Sequence, residues 1–136
     1  MGKLLGVDYG EARTGLAVSD PMQIIASPYK TLSIKDEFLL IKKIVQITKD
    51  KNIEKIIVGL PRGTSGEDTD RTKKTRKFIE TLKQRADVQV EAVDERFSSN
   101  EAKDVLHQQD IKTGHNKEKV DKTAAAIILR RYLDEL

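Results

Sequence analysis

A chain of 136 residues can bury one sizeable core without covalent staples and is short for two ordinary domains. It contains no cysteine, which removes disulfides, zinc–thiolate centres and thiol nucleophiles, and its two histidines, His107 and His115, are too few for a histidine-rich metal centre. Lys and Arg give a net charge of +3 while aromatics are only 4% of residues, a balance that permits nucleic acid as partner but offers few rings for base stacking.

The chain opens with an apolar run, Leu4 to Val7, that ends on a carboxylate, Asp8. Gly10 and Gly15 flank a polar turn from Tyr9 to Arg13, and Leu16-Ala17-Val18 resumes the apolar pattern, so a strand–turn–strand hairpin is predicted. A third strand is expected from Ile24 to Leu32, with Pro28 suiting an edge. From Lys35 to Lys51 the period turns helical, with Phe38, Ile41, Ile44, Val45 and Thr48 as the inner face. Ile53–Gly59 reads as a buried strand, followed by a loop from Leu60 to Gly66. A second helix is predicted over Asp68–Arg85, its inner stripe being Thr75, Phe78, Ile79, Leu82 and Ala86.

Val88 to Val93 is the next predicted strand, ending at Asp94-Glu95-Arg96. Ser98 and Glu101 have the spacing of a capping box, opening a helix to Gln109, and a loop runs from Asp110 to Glu118. The last helix, Val120–Leu133, is apolar on most sides and is expected to pack inside the domain. An antiparallel hairpin joined to strand–helix–strand units implies an α/β fold: one five-stranded mixed sheet with helices on both faces. The first, fourth and fifth strands then run parallel, and their carboxyl ends share the edge where open sheets bind ligands.

That edge gathers acidic groups. Asp8 ends the first strand, Asp94-Glu95 ends the fifth, and Asp121 opens the apolar last helix. Each has an ordinary structural role available: a turn, a solvated loop, a helix N-terminus. Together they would repel one another unless a cation intervened. Oxygen donors without His or Cys suit Mg²⁺ or Mn²⁺, and two such ions can drive in-line displacement at a phosphodiester. Strand period leaves Asp94 and Glu95 as alternatives, with Asp94 in phase with Val88, Val90 and Ala92, toward the apolar interior. Basic charge is concentrated between Leu60 and Ala86, where eight basic residues face four acidic ones. Arg62, Arg71, Lys73 and Lys74 there are candidates for phosphate contacts, and Arg13 and Arg96 lie beside the acidic groups.

Four blocks together resemble the YqgF (RuvX) family of RNase H-like nucleases, related to the junction resolvase RuvC. They are Gly6-Val7-Asp8-Tyr9-Gly10 with Arg13, Gly15 and Ser19-Asp20; Val58-Gly59-Leu60-Pro61; Asp94-Glu95-Arg96-Phe97-Ser98-Ser99; and Asp121 with Ala124, Ala125 and Ile128-Leu129. The resemblance implies a single RNase H-like nuclease domain over residues 1–136. It puts Asp8, Glu95 and Asp121 in the places of a metal-binding acidic triad, with Asp94 adjacent. It further implies a metal-dependent endonuclease that processes the 5′ end of pre-16S ribosomal RNA, the alternative being Holliday junction resolution. The loop Arg62 to Gly66 departs from the family pattern, being more basic and smaller.

Two other readings compete. The hairpin through Gly15 also looks like the phosphate-binding hairpin of actin- and hexokinase-like ATPases, but those need two such domains. A non-catalytic nucleic-acid-binding module is the other. No run reaches the roughly 18 apolar residues of a membrane span, and no signal-type segment precedes the first strand. A cytoplasmic protein without membrane contact is expected, as monomer or homodimer.

Overall fold

Alternation along the first strand sorts the molecule into two layers. In β1 (Lys3–Asp8) Leu5 and Val7 enter one apolar cluster while Leu4 enters another, as the two-residue period of a strand requires. The computed structural model describes residues 2–63, 65–94 and 117–136, with residues 117 and 118 as backbone. β2 (Thr14–Ser19) and β3 (Ala26–Leu32) extend the sheet antiparallel on one side of β1, and β4 (Ile53–Leu60) and β5 (Gln89–Asp94) extend it parallel on the other. The strand order is β3-β2-β1-β4-β5, so β1 is central and the carboxyl ends of β1, β4 and β5 do share one edge.

The larger cluster lies under two helices. Helix α1 (Glu37–Asp50), capped by the Asp36 carboxylate on the Leu39 amide, contributes Leu40, Ile41, Ile44 and Ile47. Helix α2 (Asp70–Arg85) contributes Phe78, Ile79 and Leu82. Its start is fixed by Thr69 and Thr72, which bond each other's backbone N–H reciprocally, and the Thr72 hydroxyl also donates to the Pro61 carbonyl at the end of β4.

The opposite face is covered by the last helix, α3 (Lys117–Asp134). Its Ala125, Ile128 and Leu129 pack on Leu4, Ala17 and Ile57. Small residues on both sides bring it close. A Cβ on Gly6 would stand 2.9 Å from both the Ala125 carbonyl oxygen and the Leu129 Cβ. The helix is therefore a layer on the sheet and not enclosed on all sides, and Lys119 and Arg130 remain exposed.

Two expectations change. Phe38 is 55% exposed, with the Arg85 guanidinium over its ring, and Leu40 and Ile47 take the inner face. The buried stripe centres on Ile44, from which Phe38 lies about 120° around the helix. Ile24 and Ile25 do not begin the third strand. The Asp20 carboxylate accepts both of their N–H groups, at 2.8 and 2.7 Å, and holds them in an exposed turn so that pairing starts at Ala26. The predicted helix over Ser98–Gln109 lies outside the described residues.

Phe78 is fully buried and stacks on Tyr9. Phe78→Ala should cost about 3–5 kcal/mol, whereas Phe38→Ala should cost under about 1 kcal/mol. Urea unfolding of the two variants checks this; equal losses would return Phe38 to the core.

Candidate active site

The site grows from the end of β1. Asp8 is the last residue of that strand, on the same side as Leu4 and Gly6, and is only 6% exposed. Its cross-strand partner in β2 is Gly15. A side chain at Gly15 would stand 2.0 Å from the Asp121 carbonyl oxygen, so only a glycine lets the start of α3 rest on the sheet there. Directly opposed residues of an antiparallel pair are about 4.5–5.5 Å apart. One contact thus gathers Asp8 and Asp121, more than a hundred residues apart in the chain, on one face.

The turn between β1 and β2 supplies a cation to the pair. A Cβ on Gly10 would stand 2.2 Å from the Arg13 carbonyl oxygen, so the turn closes tightly. It delivers Arg13 Nε to Asp121 Oδ2 at 2.6 Å, with side chains 35% and 21% exposed. Asp8, Asp121 and the Arg13 guanidinium thus lie on one face, residue types of the kind that bind a hard cation and a phosphate.

Helix α2 borders the same turn. The Tyr9 ring stacks on Phe78 with centroids 4.1 Å apart, and Arg71 Nη2 donates to the Tyr9 carbonyl at 3.3 Å. Burial, reinforced by the Glu37 and Glu11 carboxylates, raises the Tyr9 phenol above its ordinary pKa. Lys74 pairs with Glu11, lowering the pKa of that carboxyl and raising that of the lysine. Glu11 is a partner that sequence reasoning passed over, because its contact lies 63 positions away.

Of the predicted basic contacts, Arg71 and Lys73 are exposed on α2 close to this edge. Arg62 instead bonds Asp68 at 2.6 Å, and Arg76 shares that carboxylate, so Arg62 is engaged within its own loop. Hydrogen bonding to Arg76 holds the Asp68 carboxyl below its usual range.

Asp94 ends β5 opposite Leu60. Its phase with Val90 is as predicted, but β5 is an edge strand, and Asp94 is exposed instead of turned into the interior. Its carbonyl accepts from Arg131 Nη1 of α3. Val93 packs with the cluster beneath α3, and Lys55 links Glu91 to Tyr132, so positions 91 and 93 lie on the α3 side with Asp8. Glu95 and Arg96 lie outside the described residues. Among the described residues no group of three or more His, Asp or Glu side chains is placed to hold a metal ion. Asp8 and Asp121, on one face across Gly15, carry oxygen donors of the kind that fit a hard divalent cation.

Residues 2–135 match the model of the RuvX family, described as Holliday junction resolvase. A Dictyoglomus turgidum protein named "Putative pre-16S rRNA nuclease" is 38% identical over 98% of this chain and 95% of its own. A Bacteroides fragilis protein of the same name is 39% identical over 98% and 97%. Among solved structures, Thermus thermophilus RuvC in complex with a Holliday junction substrate superposes with TM-score 0.58 at 14% identity, covering 99% of this chain and 95% of that one. The fowlpox virus resolvase bound to Holliday junction DNA gives 0.62 at 11% identity, covering 98% and 97%. The fold is therefore RNase H-like, with its mixed sheet covered on both faces.

Gly15→Ala should displace the first turn of α3, because the obstructing atoms are backbone and have no rotamer to adopt. A loss of more than about 2 kcal/mol in urea unfolding is expected, against a smaller one for Gly10→Ala, whose clash lies within one turn and not between packed layers. A fully stable Gly15→Ala protein with unchanged Asp121 chemical shifts would refute the contact.

Proposed function

The chain belongs to the RuvX family, and on that premise we propose that it is a divalent-metal-dependent endonuclease, a hydrolase of phosphodiester bonds in the cytoplasm. The carrying observation is the convergence of Asp8 and Asp121 across Gly15, at the carboxyl edge of the parallel strands. Glu95 is the third member. The family resemblance puts it in the acidic triad, and it follows directly on the end of β5, whose Glu91 and Val93 lie on the α3 side. Asp94, of the opposite parity to Glu91 and Val93, takes a supporting role at the strand end. Asp8, Glu95 and Asp121 would hold Mg²⁺ or Mn²⁺, which supplies activation of a water and neutralisation of charge on the leaving oxygen when bound.

The protein's own groups do the positioning. Burial of Asp8 limits its motion and keeps bulk water from its carboxylate. Arg13, bonded to Asp121, and Arg96, next to Glu95 in the sequence, would neutralise the phosphate that approaches the acidic groups. Arg71, Lys73 and Lys74 at the start of α2 guide the backbone across the edge, while Arg62 braces the preceding loop through Asp68.

The substrate class that the named relatives support is the precursor of 16S ribosomal RNA, and cleavage at its 5′ end is what the family resemblance implies. The family description and the resolvase neighbours favour a four-way DNA junction as second reading, which would call for two copies of the chain cutting in pairs. A cleavage assay with Mg²⁺ or Mn²⁺ on a pre-16S leader RNA and on a four-way junction decides between them.

Asp8→Asn, Glu95→Gln and Asp121→Asn should each reduce metal-dependent cleavage by more than about 100-fold, beyond what changes outside the ligand shell produce. Full activity in Asp8→Asn would sink the reading, and binding without cleavage in the wild-type protein would favour a non-catalytic module. Neutralising Lys73 and Lys74 together should flatten the log–log salt dependence of nucleic-acid binding by about one unit per lost phosphate contact. An unchanged slope returns both lysines to an ordinary solvated surface.

A further inference from the structure

We propose that Arg13 is a built-in counter-ion of Asp121 that exchanges places with the metal. The phosphate backbone of the substrate then draws the guanidinium off the carboxylate. The inference rests on the metal-site reading above and adds a coupling between metal and substrate.

The geometry is specific to such a role. Arg13 engages Asp121 through Nε alone, at 2.6 Å, and this is its one hydrogen bond among the described residues. A guanidinium has five N–H donors, and the favoured carboxylate contact is a two-bond fork. Single-bond engagement leaves the Nη groups available to a second anion while Asp121 still holds the side chain in place. The pair is only partly exposed, so it is screened less than a surface pair. Arg13 also sits on a turn closed by Gly10 and tethered through the Tyr9–Phe78 stack, so the guanidinium starts from a set position.

Asp121 cannot give its full charge to both Arg13 and a divalent cation, and the two cations repel. Metal entry therefore has to loosen the pair, which lowers metal affinity in the absence of nucleic acid. A phosphate offers Arg13 a competing anion, bidentate through the Nη groups. Once Arg13 moves onto it, Asp121 is released for the metal. By linkage, metal must promote nucleic-acid binding by the same factor. The site would load fully only when substrate is present, which restrains cleavage by a nuclease that has no bound target.

The test is Mn²⁺ binding to the full chain, read by electron paramagnetic resonance or calorimetry, with no nucleic acid and no turnover. Arg13→Gln should bind Mn²⁺ about three- to tenfold more tightly than wild type, the range expected from releasing a partly exposed ion pair. Arg13→Lys, which keeps the charge without the planar Nε contact, should fall between them. Lys122→Gln removes a positive charge next to Asp121 in the chain and should leave the affinity within about twofold. In EDTA, Asp121→Asn should strengthen binding of a labelled RNA hairpin, and that gain should shrink in the Arg13→Gln background.

An unchanged or weaker Mn²⁺ affinity in Arg13→Gln overturns the proposal, as does an equal gain in Lys122→Gln. Mn²⁺ binding to none of the proteins overturns the metal site itself and the exchange with it. Binding to all of them with one common Kd overturns the exchange alone. If Arg13→Gln does not fold, the Arg13→Lys comparison carries the same two outcomes.

Discussion

Everything at the candidate site depends on how closely a helix can approach a sheet. Helices and sheets ordinarily keep a side chain's thickness between their backbones. Here Gly6 and Gly15 remove that spacer, and the carbonyls of Ala125 and Asp121 occupy the space. The approach takes place on the central pair of strands, β1 and β2, where the backbone is least able to move. The start of α3 is therefore positioned by contact with rigid backbone. A ligand carried on that turn inherits the precision of the sheet.

Close approach has an electrostatic consequence. Bringing Asp121 to the face that carries Asp8 places two carboxylates where water is partly excluded, a costly arrangement without a compensating positive charge. Arg13 provides one from within the same hairpin. Toward the other face of the sheet, α2 sets Lys74 against Glu11 and Arg71 against the Tyr9 carbonyl, so further positive charge borders the same turn. An acidic centre with a basic margin is the charge pattern that accommodates both a cation and a polyanion.

Some of the basic residues are not arrayed for a ligand. Arg62 and Arg76 share Asp68 and brace the loop that leads from β4 into α2. Counting charges along the chain could not separate these from Arg71 and Lys73, because the separation depends on where Asp68 lies in space. The same limit applies to Phe38, whose place just inside an amphipathic pattern suggested burial while the centre of the stripe put it outside. It applies again to Asp94, which keeps the predicted phase but sits on the strand at the edge of the described sheet.

By itself the sequence determined the order and type of the described elements, the parallel grouping of β1, β4 and β5, and the edge where Asp8 would lie. Those follow from local rules: a period of two or of 3.6, turn residues at the breaks, and the crossover logic of strand–helix–strand units. The family was also legible, because the blocks around Asp8 and Asp94-Glu95 carry its motif. The tertiary structure alone decided that Asp121 meets Asp8 across Gly15, that Arg13 rather than solvent answers Asp121, and that Ile24 and Ile25 belong to a turn held by Asp20. Those facts are contacts in space: two join groups more than a hundred residues apart, and the third turns on a side chain competing with a ladder for backbone N–H groups. No periodicity encodes such distances, because they are set by how closely packed layers can approach one another.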